Sequence, residues 1–304
     1  MIENQLIIQE IWEKEMVDVL VLNYNDYVTT TSFVELVKKF SNVGRILIVD
    51  NKSTDDSLER LKYIQSQKVF LLESPQNGGY GAGNNLGVRY LSERFHSEYI
   101  LLSNPDVIVS EKVLLKMEDF LRSHSDYAIV SPFMCNAEGV RQGNTALRIP
   151  SKWEYILSSD LLLKKYIHSF NYETIELENA GVKDVGCVSG SMFLMRTEDM
   201  LKYGMYDESI FLYCEEVVLG KKILKSGKKI GLLTNLNYIH NHSVSISRTF
   251  NSIVSKHRLY LQSKMYVIKK YFDANFFDCF IANFLSITSM MEIRLVAFFR
   301  KIKK

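Results

Sequence analysis

The sequence contains little cysteine and little proline. Its 304 residues include four of each, and the cysteines at 135, 187, 214 and 279 are far apart, with no CxxC spacing. This distribution argues against a structural zinc site and against a disulfide framework. The sequence also contains no internal repeat, low-complexity tract or evident linker. These absences favour a single globular domain in a reducing compartment such as the cytosol.

The chain also has no excess of charge of one sign. The chain carries 37 basic and 35 acidic residues, a net charge of +2, so no overall field points to nucleic acid as a partner. The first residues, MIENQLIIQEIWEKEM, lack the basic region, continuous apolar region and cleavage site of a signal peptide. We therefore expect no secretory targeting from this segment.

No run of 18 uninterrupted apolar residues occurs, so the sequence predicts no confident membrane span. The nearest approach is residues 274–299, which contain a few polar and charged residues and are followed by RKIKK. This pattern fits an amphipathic helix whose basic end meets anionic lipid. It fits equally well a helix packed on its own domain or on a partner.

Short apolar runs alternate with helical patterns from residue 17 onward. The runs VDVLVLN, RILIVD, KVFLLE and EYILLS are typical of buried strands, and helical patterns separate them. This alternation predicts repeated βα units and an α/β fold with a mainly parallel central sheet. The Phe- and Met-rich segment 251–304 reads as a helical appendage to that domain.

Polar residues recur where the predicted strands end. In open parallel sheets, ligands bind at the carboxyl ends of the strands, so this recurrence predicts a binding site at one sheet edge. The residues concerned are Asn23, Tyr24, Asn25, Asp50, Asn51, Asp55, Asn104 and Asp106.

The run GGYGAGNNLG at 78–87 resembles a dinucleotide fingerprint but does not match it. Its spacing is GxGxxxG rather than GxGxxG, and it follows the third strand instead of the first. The glycines still predict a backbone that needs a close approach or a positive φ. They precede a helix N-terminus, which is able to hold phosphate.

Two further groups carry possible chemistry. Asp106 follows Pro105 at a strand break, and Mg²⁺ or Mn²⁺ is usually held by one or two carboxylates plus substrate phosphates. His240 and His242 would share one side of an extended strand, and spacing alone does not choose between them. Glu216 and its neighbour Glu215 open a predicted helix, either as solvated charges favoured by the helix dipole or as an active-site pair.

Five segments in this order carry a family resemblance: VDVLVLNYN, IVDNKSTDDS, NGGYGAGNNLGVRY, YILLSNPDV, and GCVSGSMFL through YIHNHSVS. From about residue 17 to 245 the sequence resembles the inverting family 2 glycosyltransferases of the GT-A fold, especially the rhamnosyltransferase-like branch of bacterial surface polysaccharide synthesis. The resemblance implies a GT-A domain over 1–250, with a nucleotide-binding half at about 17–107 and an acceptor half at about 108–250. Residues 251–304 would form the C-terminal helical segment.

The resemblance also implies roles for individual residues. Glu216 falls at the general-base position and Glu215 at that of an acid that contacts the acceptor. Asp106 corresponds to the last Asp of a D-x-D motif and, with His240, would hold Mg²⁺ or Mn²⁺. The expected nucleotide-binding residues are Asn23, Asn25, Asp50, Asn51, Gly79, Gly83, Asn84 and Asn104.

Three residues depart from the family pattern. Asn104 replaces the first carboxylate of D-x-D, Glu216 replaces the Asp of E-D-x-D with a side chain one methylene longer, and Val218 replaces the last acid of that motif. The expected function is metal-dependent transfer of rhamnose or another hexose from a dTDP- or UDP-sugar to a saccharide or lipid-linked acceptor. The alternative is a catalytically impaired relative that still binds nucleotide sugar. A nucleotidyltransferase is disfavoured because no glycine-rich triphosphate loop follows the first strand.

The expected location is the cytoplasm, with peripheral attachment to the inner face of the plasma membrane as a further option. The C-terminal segment would then contact either the membrane or a second copy of the chain. No nucleic acid is expected as a partner.

Overall fold

The computed structural model describes residues 16–167, 169–172, 181–241 and 252–302. The strands within these ranges are β1 (Val17–Asn23), β2 (Val43–Asp50), β3 (Val69–Glu73), β4 (Tyr99–Ser103), β5 (Val107–Ile108), β6 (Tyr127–Cys135), β7 (Ala146–Leu147), β8 (Val182–Asp184), β9 (Cys187–Val188), β10 (Met192–Arg196) and β11 (Lys229–His240). The helices are α1 (Tyr27–Val37), α2 (Ser57–Lys62), α3 (Gly79–Phe95), α4 (Glu111–Ser123), α5 (Lys152–Leu157), α6 (Glu215–Lys225), α7 (Ile253–Tyr271) and α8 (Phe276–Ile302). Short helical turns cover Gly143–Thr145, Leu163–Tyr166, Thr197–Asp199 and Met200–Gly204.

The central sheet has the strand order β3-β2-β1-β4-β10-β6-β11-β5, and β8 pairs with β11. Strands β1 to β4 are parallel, as the alternation of strands and helices predicts. Strand β10 lies antiparallel between β4 and β6, so the complete sheet is mixed. This α/β architecture with C-terminal helices confirms the predicted fold class and adds an antiparallel part to the expected parallel sheet.

The core occupies both faces of the sheet. Along β1, Val19 and Val21 belong to the cluster covered by α1 and α4, whereas Leu20 belongs to the cluster covered by α3. Successive side chains of a strand point to opposite faces, so an uninterrupted apolar strand must be covered on both sides. This requirement explains why the stretch 19–22 of β1 contains no polar residue.

The two C-terminal helices pack on the second half of the domain. Val267 of α7 and Leu285 of α8 share a buried cluster with Val217 of α6. Lys264 is buried and donates a hydrogen bond to the Ser158 hydroxyl at 2.6 Å, and burial lowers the pKa of this lysine to about 7. The predicted appendage is thus joined to the domain through a hydrophobic cluster. The predicted boundary at residue 250 lies outside the described residues.

Candidate functional site

A cleft of about 350 Å³ lies at the carboxyl ends of β1 and β4. The strand order reverses at β1, because β2 and β3 lie on one side of it and β4 on the other. Such a switch point opens a crevice between the loops that leave the strands, and ligands bind there in open α/β sheets. The lining residues are Leu22, Tyr24, Asp26, Asn51, Asn77, Gly79, Tyr80, Asn104, Pro105, Asn144, Ser189, Gly190, Ser191, Phe211, Leu212, Tyr213, Glu215, Glu216 and His240.

Three predicted nucleotide-binding residues lie in a hydrogen-bonded cluster behind this lining. The fully buried Asn23 donates its amide to Asp50 at 2.8 Å. Asp50 also accepts from the Ser53 backbone N–H at 2.9 Å, and the Ser53 hydroxyl accepts from the Asn25 backbone N–H at 2.9 Å. These bonds hold the turn after β2 against the end of β1. The nucleotide contacts expected of Asn23, Asn25 and Asp50 stay predictions.

The glycine-rich start of α3 confirms the expected close approach of the backbone. Gly79 has φ +84°, and a Cβ there would overlap the backbone carbonyl of Phe211. Asn51 donates its amide to the Gly79 carbonyl at 3.0 Å, which fixes the start of the helix against the end of β2. A Cβ at Gly83 would overlap the side chain of Leu22. The glycines therefore allow α3 to pack between β1 and the loop that carries Phe211.

Two other predicted nucleotide ligands lie deeper in the same helix. Gly83 packs on β1, and Asn84 donates its amide to the Tyr80 carbonyl at 2.9 Å. Neither is among the described residues that line the cleft. Asn51, Gly79 and Asn104 do line it. The structure thus brings only part of the predicted nucleotide set to the cavity surface.

Asp106 and His240 meet at one end of the cleft. Antiparallel pairing places Val107 of β5 opposite His240 of β11, and the Asp106 Oδ1 to His240 Nε2 distance is 3.1 Å. Two neighbouring ligands of an octahedral ion, each about 2.1 Å from it, are separated by about 3 Å. In this structure the two residues are hydrogen-bonded to each other, and their separation is also compatible with two ligands of a Mg²⁺ or Mn²⁺ ion. His242, the other candidate, lies outside the described residues.

The protein supplies few ligands for such an ion. Over the described part of the chain, no group of three or more His, Cys, Asp or Glu side chains is placed to hold a metal. Asn104, at the first position of the D-x-D motif, lines the same cleft. An ion here would depend on substrate oxygens for most of its coordination, as Mg²⁺ commonly does when it binds with phosphates.

Glu215 and Glu216 form the first turn of α6, and both line the cleft. The solvated alternative for this pair is wrong for Glu215, because that residue is only 5% exposed. Tyr213 and Cys214, directly before the helix, have φ values of 74° and 72°. Two consecutive non-glycine residues in the left-handed region store local strain, a feature common at functional sites. This turn directs the two carboxylates into the cavity.

The environment of the pair favours the protonated acids. Burial, with a smaller contribution from the charge of Glu216, raises the pKa of Glu215 to about 8. Burial also raises the pKa of the half-buried Glu216. Among the described residues, the Oε1 atom of Glu215 has no hydrogen-bond partner. A carboxylate whose pKa approaches neutrality is suited to take up a proton during a reaction.

One wall beside Glu216 is formed by Gly190 and Tyr80. A Cβ at Gly190 would lie 3.3 Å from the Glu216 Oε1 atom, and the Tyr80 hydroxyl donates to the Gly190 carbonyl. Glycine at 190 thus leaves room for the carboxylate, while the tyrosine holds the loop in place. We did not predict either residue. The segment GCVSGS, which contains Gly190, was noted only as part of the family resemblance.

Asp26 and Asn77 are further lining residues that sequence reasoning missed. Asp26 accepts a hydrogen bond from the Thr29 hydroxyl at 2.9 Å, and Asn77 accepts one from the Asn51 amide at 3.1 Å. Each follows closely on the end of a strand. Such polar residues also occur routinely in turns, so position alone gives only a weak signal.

Comparison with known proteins places these observations in a family. The model of glycosyl transferase family 2 matches residues 18–204, more than half of the chain. The low-salt glycan biosynthesis hexosyltransferase Agl10 of Haloferax volcanii is 25% identical over 236 residues, covering 78% of this chain and 71% of that protein. The rhamnosyltransferase WbbL of Escherichia coli K12 is 28% identical over 202 residues, covering 64% and 72% respectively. The N-acetylglucosaminyl-diphospho-decaprenol L-rhamnosyltransferase of Mycobacterium tuberculosis is 23% identical over 224 residues, covering 70% and 71%.

Solved structures agree on the fold. GalNAc-T7, solved with UDP, GalNAc and Mn²⁺, superposes with a TM-score of 0.62 at 14% identity, over 85% of this chain and 50% of that one. Residues 1–349 of Staphylococcus aureus TarS, solved with UDP-GlcNAc, give a TM-score of 0.52 at 16% identity, over 83% and 65%. The architecture is the GT-A glycosyltransferase fold. Because the family model covers more than half of the chain, from β1 through β10, the chain belongs to glycosyl transferase family 2.

Proposed function

We propose that this glycosyltransferase moves rhamnose or another hexose from a dTDP- or UDP-sugar to a saccharide or lipid-linked acceptor in bacterial surface polysaccharide synthesis. The observation that carries the proposal is the Glu215–Glu216 pair, placed in a cleft at the switch point of the sheet. The names of the relatives support the choice of substrates. Two are rhamnosyltransferases, and one name specifies a diphospho-decaprenol acceptor.

In the proposed reaction, Glu216 is the general base. Its carboxylate takes the proton of the acceptor hydroxyl as that oxygen attacks the anomeric carbon. The bond from the anomeric carbon to the diphosphate breaks on the opposite face, and the nucleoside diphosphate leaves with the bonding electrons. Direct displacement of this kind inverts the anomeric configuration, in keeping with the inverting family.

Glu215 has a different proposed role, which is to bind the acceptor. Glu215 lines the cleft, its Oε1 atom has no hydrogen-bond partner among the described residues, and with a pKa of about 8 its carboxyl is largely protonated at neutral pH. A neutral carboxyl can both donate a hydrogen bond to a sugar hydroxyl and accept one from it. A neutral Glu215 also places no second negative charge beside the Glu216 carboxylate.

Asp106 and His240 are the residues that would hold Mg²⁺ or Mn²⁺. Such an ion would neutralise charge on the departing diphosphate. Support comes from their 3.1 Å contact and from the Mn²⁺ in the GalNAc-T7 structure. The proposed nucleotide contacts are those of Asn51, Gly79 and Asn104 in the cleft, with Asn23, Asn25 and Asp50 forming the layer behind them.

The test compares Glu216→Gln with the wild type and with a control, Glu93→Gln, on the exposed face of α3. Loss of the base should lower kcat on the order of a hundredfold or more. Calorimetric titration with UDP and dTDP should show unchanged nucleotide affinity for both variants. If Glu216→Gln keeps full turnover, Glu216 is not the base. If the wild type binds nucleotide but gives no transfer to any saccharide or polyprenyl-linked acceptor, the alternative of an impaired binding relative is correct.

A lipid-linked acceptor would place the enzyme in the cytoplasm against the inner face of the plasma membrane. The proposal therefore includes a contact of the C-terminal helices with either a bilayer or a second copy of the chain. The exposed surface of α8 helps to decide between a bilayer and a second copy.

A further inference from the structure

The face of α8 that points away from the domain is apolar. Phe280, Phe284, Ile287, Met291, Leu295 and Phe298 are each between 50% and 61% exposed. Their spacing of three or four residues aligns them along one side of the helix, and we call them the outer stripe. Single exposed apolar residues are ordinary on soluble proteins, but a contiguous stripe along a whole helix marks an interaction surface.

The opposite face of α8 is buried against the domain. Ala282 and Ser289 are fully buried, and Leu285 and Ile293 are nearly so. The segment Phe276–Arg300 is long and apolar enough to cross a membrane by length and composition alone. A helix packed on its domain along one side cannot be surrounded by lipid on all sides. The structure therefore favours a helix that lies in the membrane interface over one that spans the bilayer.

A neighbouring turn extends this surface. The segment Leu162–Tyr166 is exposed throughout, with Tyr166 88% exposed, and it includes Lys164 and Lys165. It is held beside α8, because the Leu161 backbone N–H donates to Glu292 at 3.0 Å. Aromatic, aliphatic and lysine side chains together are typical of the interfacial region of a bilayer.

Most of the charged residues on this side of the protein are basic. Helix α7 contains no acidic residue. The two acids of α8 are occupied, since Asp278 is paired with Lys152 at 2.7 Å and Glu292 accepts the Leu161 N–H. A groove of about 550 Å³ between α7 and α8 is lined by Arg258 and Arg294, together with Ile287 and Met291 of the outer stripe. Neither arginine forms an ion pair within the described residues.

We propose that the outer stripe, the Leu162–Tyr166 turn and the Arg258–Arg294 groove form one docking face for an anionic phospholipid bilayer. The apolar side chains enter the acyl boundary, and the cations meet lipid phosphates. A second copy of the chain is a less suitable partner for this face than a bilayer. Two-fold pairing would set this cationic face against itself without acidic partners. The proposal selects one of the two contacts included in the proposed function, but it does not depend on the chemistry of transfer.

Helix α7, which packs beside α8, also holds one wall of the cleft. The Ser263 hydroxyl of α7 donates to the Leu212 carbonyl at 2.6 Å, and the Lys270 ammonium contacts Asp207 at 2.7 Å. Leu212 lines the cleft, and Asp207 begins the loop that leads to it. Docking would therefore fix one wall of the cleft, through α7, relative to the bilayer.

The experiment is flotation of the full-length protein with vesicles that contain no acceptor lipid. Wild type should float with phosphatidylglycerol–phosphatidylcholine vesicles and only weakly with phosphatidylcholine alone. The variant Phe284→Glu/Met291→Glu should lower vesicle partitioning on the order of a hundredfold, because it removes apolar contact and adds like charge. The control Tyr63→Glu/Val140→Glu changes exposed apolar residues elsewhere and should float as wild type does. Arg258→Gln/Arg294→Gln should reduce the preference for phosphatidylglycerol by about 25-fold.

Three outcomes would overturn the proposal. They are a wild type that does not float, a Phe284→Glu/Met291→Glu variant that floats undiminished, and a lipid-free dimer, seen by light scattering, that this variant dissociates. Nucleotide titration of the same samples separates this inference from the proposed function. A protein that floats but binds no nucleotide refutes the function alone, and one that binds nucleotide but does not float refutes the docking face alone.

Discussion

Glu215→Gln should make the protein more stable at alkaline pH. Burial and the charge of Glu216 raise the pKa of Glu215 from 4.5 to about 8 in the folded protein. Between these two values the folded state keeps a proton that the unfolded state has lost. The free energy of unfolding must therefore fall as pH rises from about 4.5 to about 8. Glutamine has nearly the same shape but cannot ionise, so the variant should lose this part of the pH dependence.

The magnitude follows from the same values. A pKa increase of about 3.5, at about 1.4 kcal/mol for each pKa unit, corresponds to an upper limit of about 5 kcal/mol above pH 8. Burial is the larger cause and the charge of Glu216 the smaller one. Glu216→Gln should therefore recover only the smaller, charge-dependent part of this effect through Glu215.

The assay is urea denaturation at pH 5, 6.5, 8 and 9 for the wild type, Glu215→Gln and the exposed control Glu93→Gln. We expect the stability difference between Glu215→Gln and wild type to grow in favour of the variant across this series, while the control follows wild type. A constant difference at all pH values would show that Glu215 ionises normally in the folded state. The argument for a protonated, acceptor-binding Glu215 would then fail.

Other predictions concern the start of α3 and the metal pair. Gly79→Ala should destabilise the protein by about 2–4 kcal/mol in urea denaturation, because it adds the cost of positive φ to an overlap with the Phe211 carbonyl. The matched control is Gly139→Ala, which has φ +78° but no atom within 4 Å of the added Cβ, and equal losses at both sites would refute the overlap. His240→Gln should weaken nucleotide binding in Mn²⁺ by tenfold or more and leave binding in EDTA unchanged, as measured by calorimetry. An equal loss in EDTA would assign His240 and its partner Asp106 a structural role only.

Much of the fold was predictable because it depends on local patterns. The uninterrupted apolar run of β1 requires cover on both faces, and the alternation of strands and helices requires parallel pairing. The antiparallel insertion of β10 was not predictable in this way. Its residues, MFLMR, form a short apolar run of the same kind, and nothing in the run specifies its neighbour or direction.

The candidate site also contains some residues that the sequence predicted and others that it did not. Asn51 and Asn104 were selected from their places at strand ends and Gly79 from the family resemblance, and all three line the cleft. Sequence reasoning gave Asn84 the same role, although its amide bonds within α3. It also missed Tyr80, whose hydroxyl reaches across 110 residues of sequence to the Gly190 carbonyl. A side chain's contact with a distant loop is decided by packing, and a motif records only its position along the chain.

By itself, the sequence determined the order of the strands along the chain, the strand ends at which polar residues gather, the glycines that permit close packing, and the paired acids at the start of α6. These features depend on residue type and local spacing. Only the tertiary structure decided that Asp106 meets His240, that Glu215 is buried, and that α8 covers the domain with one apolar face and exposes the other. Each of these depends on contacts between segments far apart in sequence, whose geometry exists only once the sheet has formed.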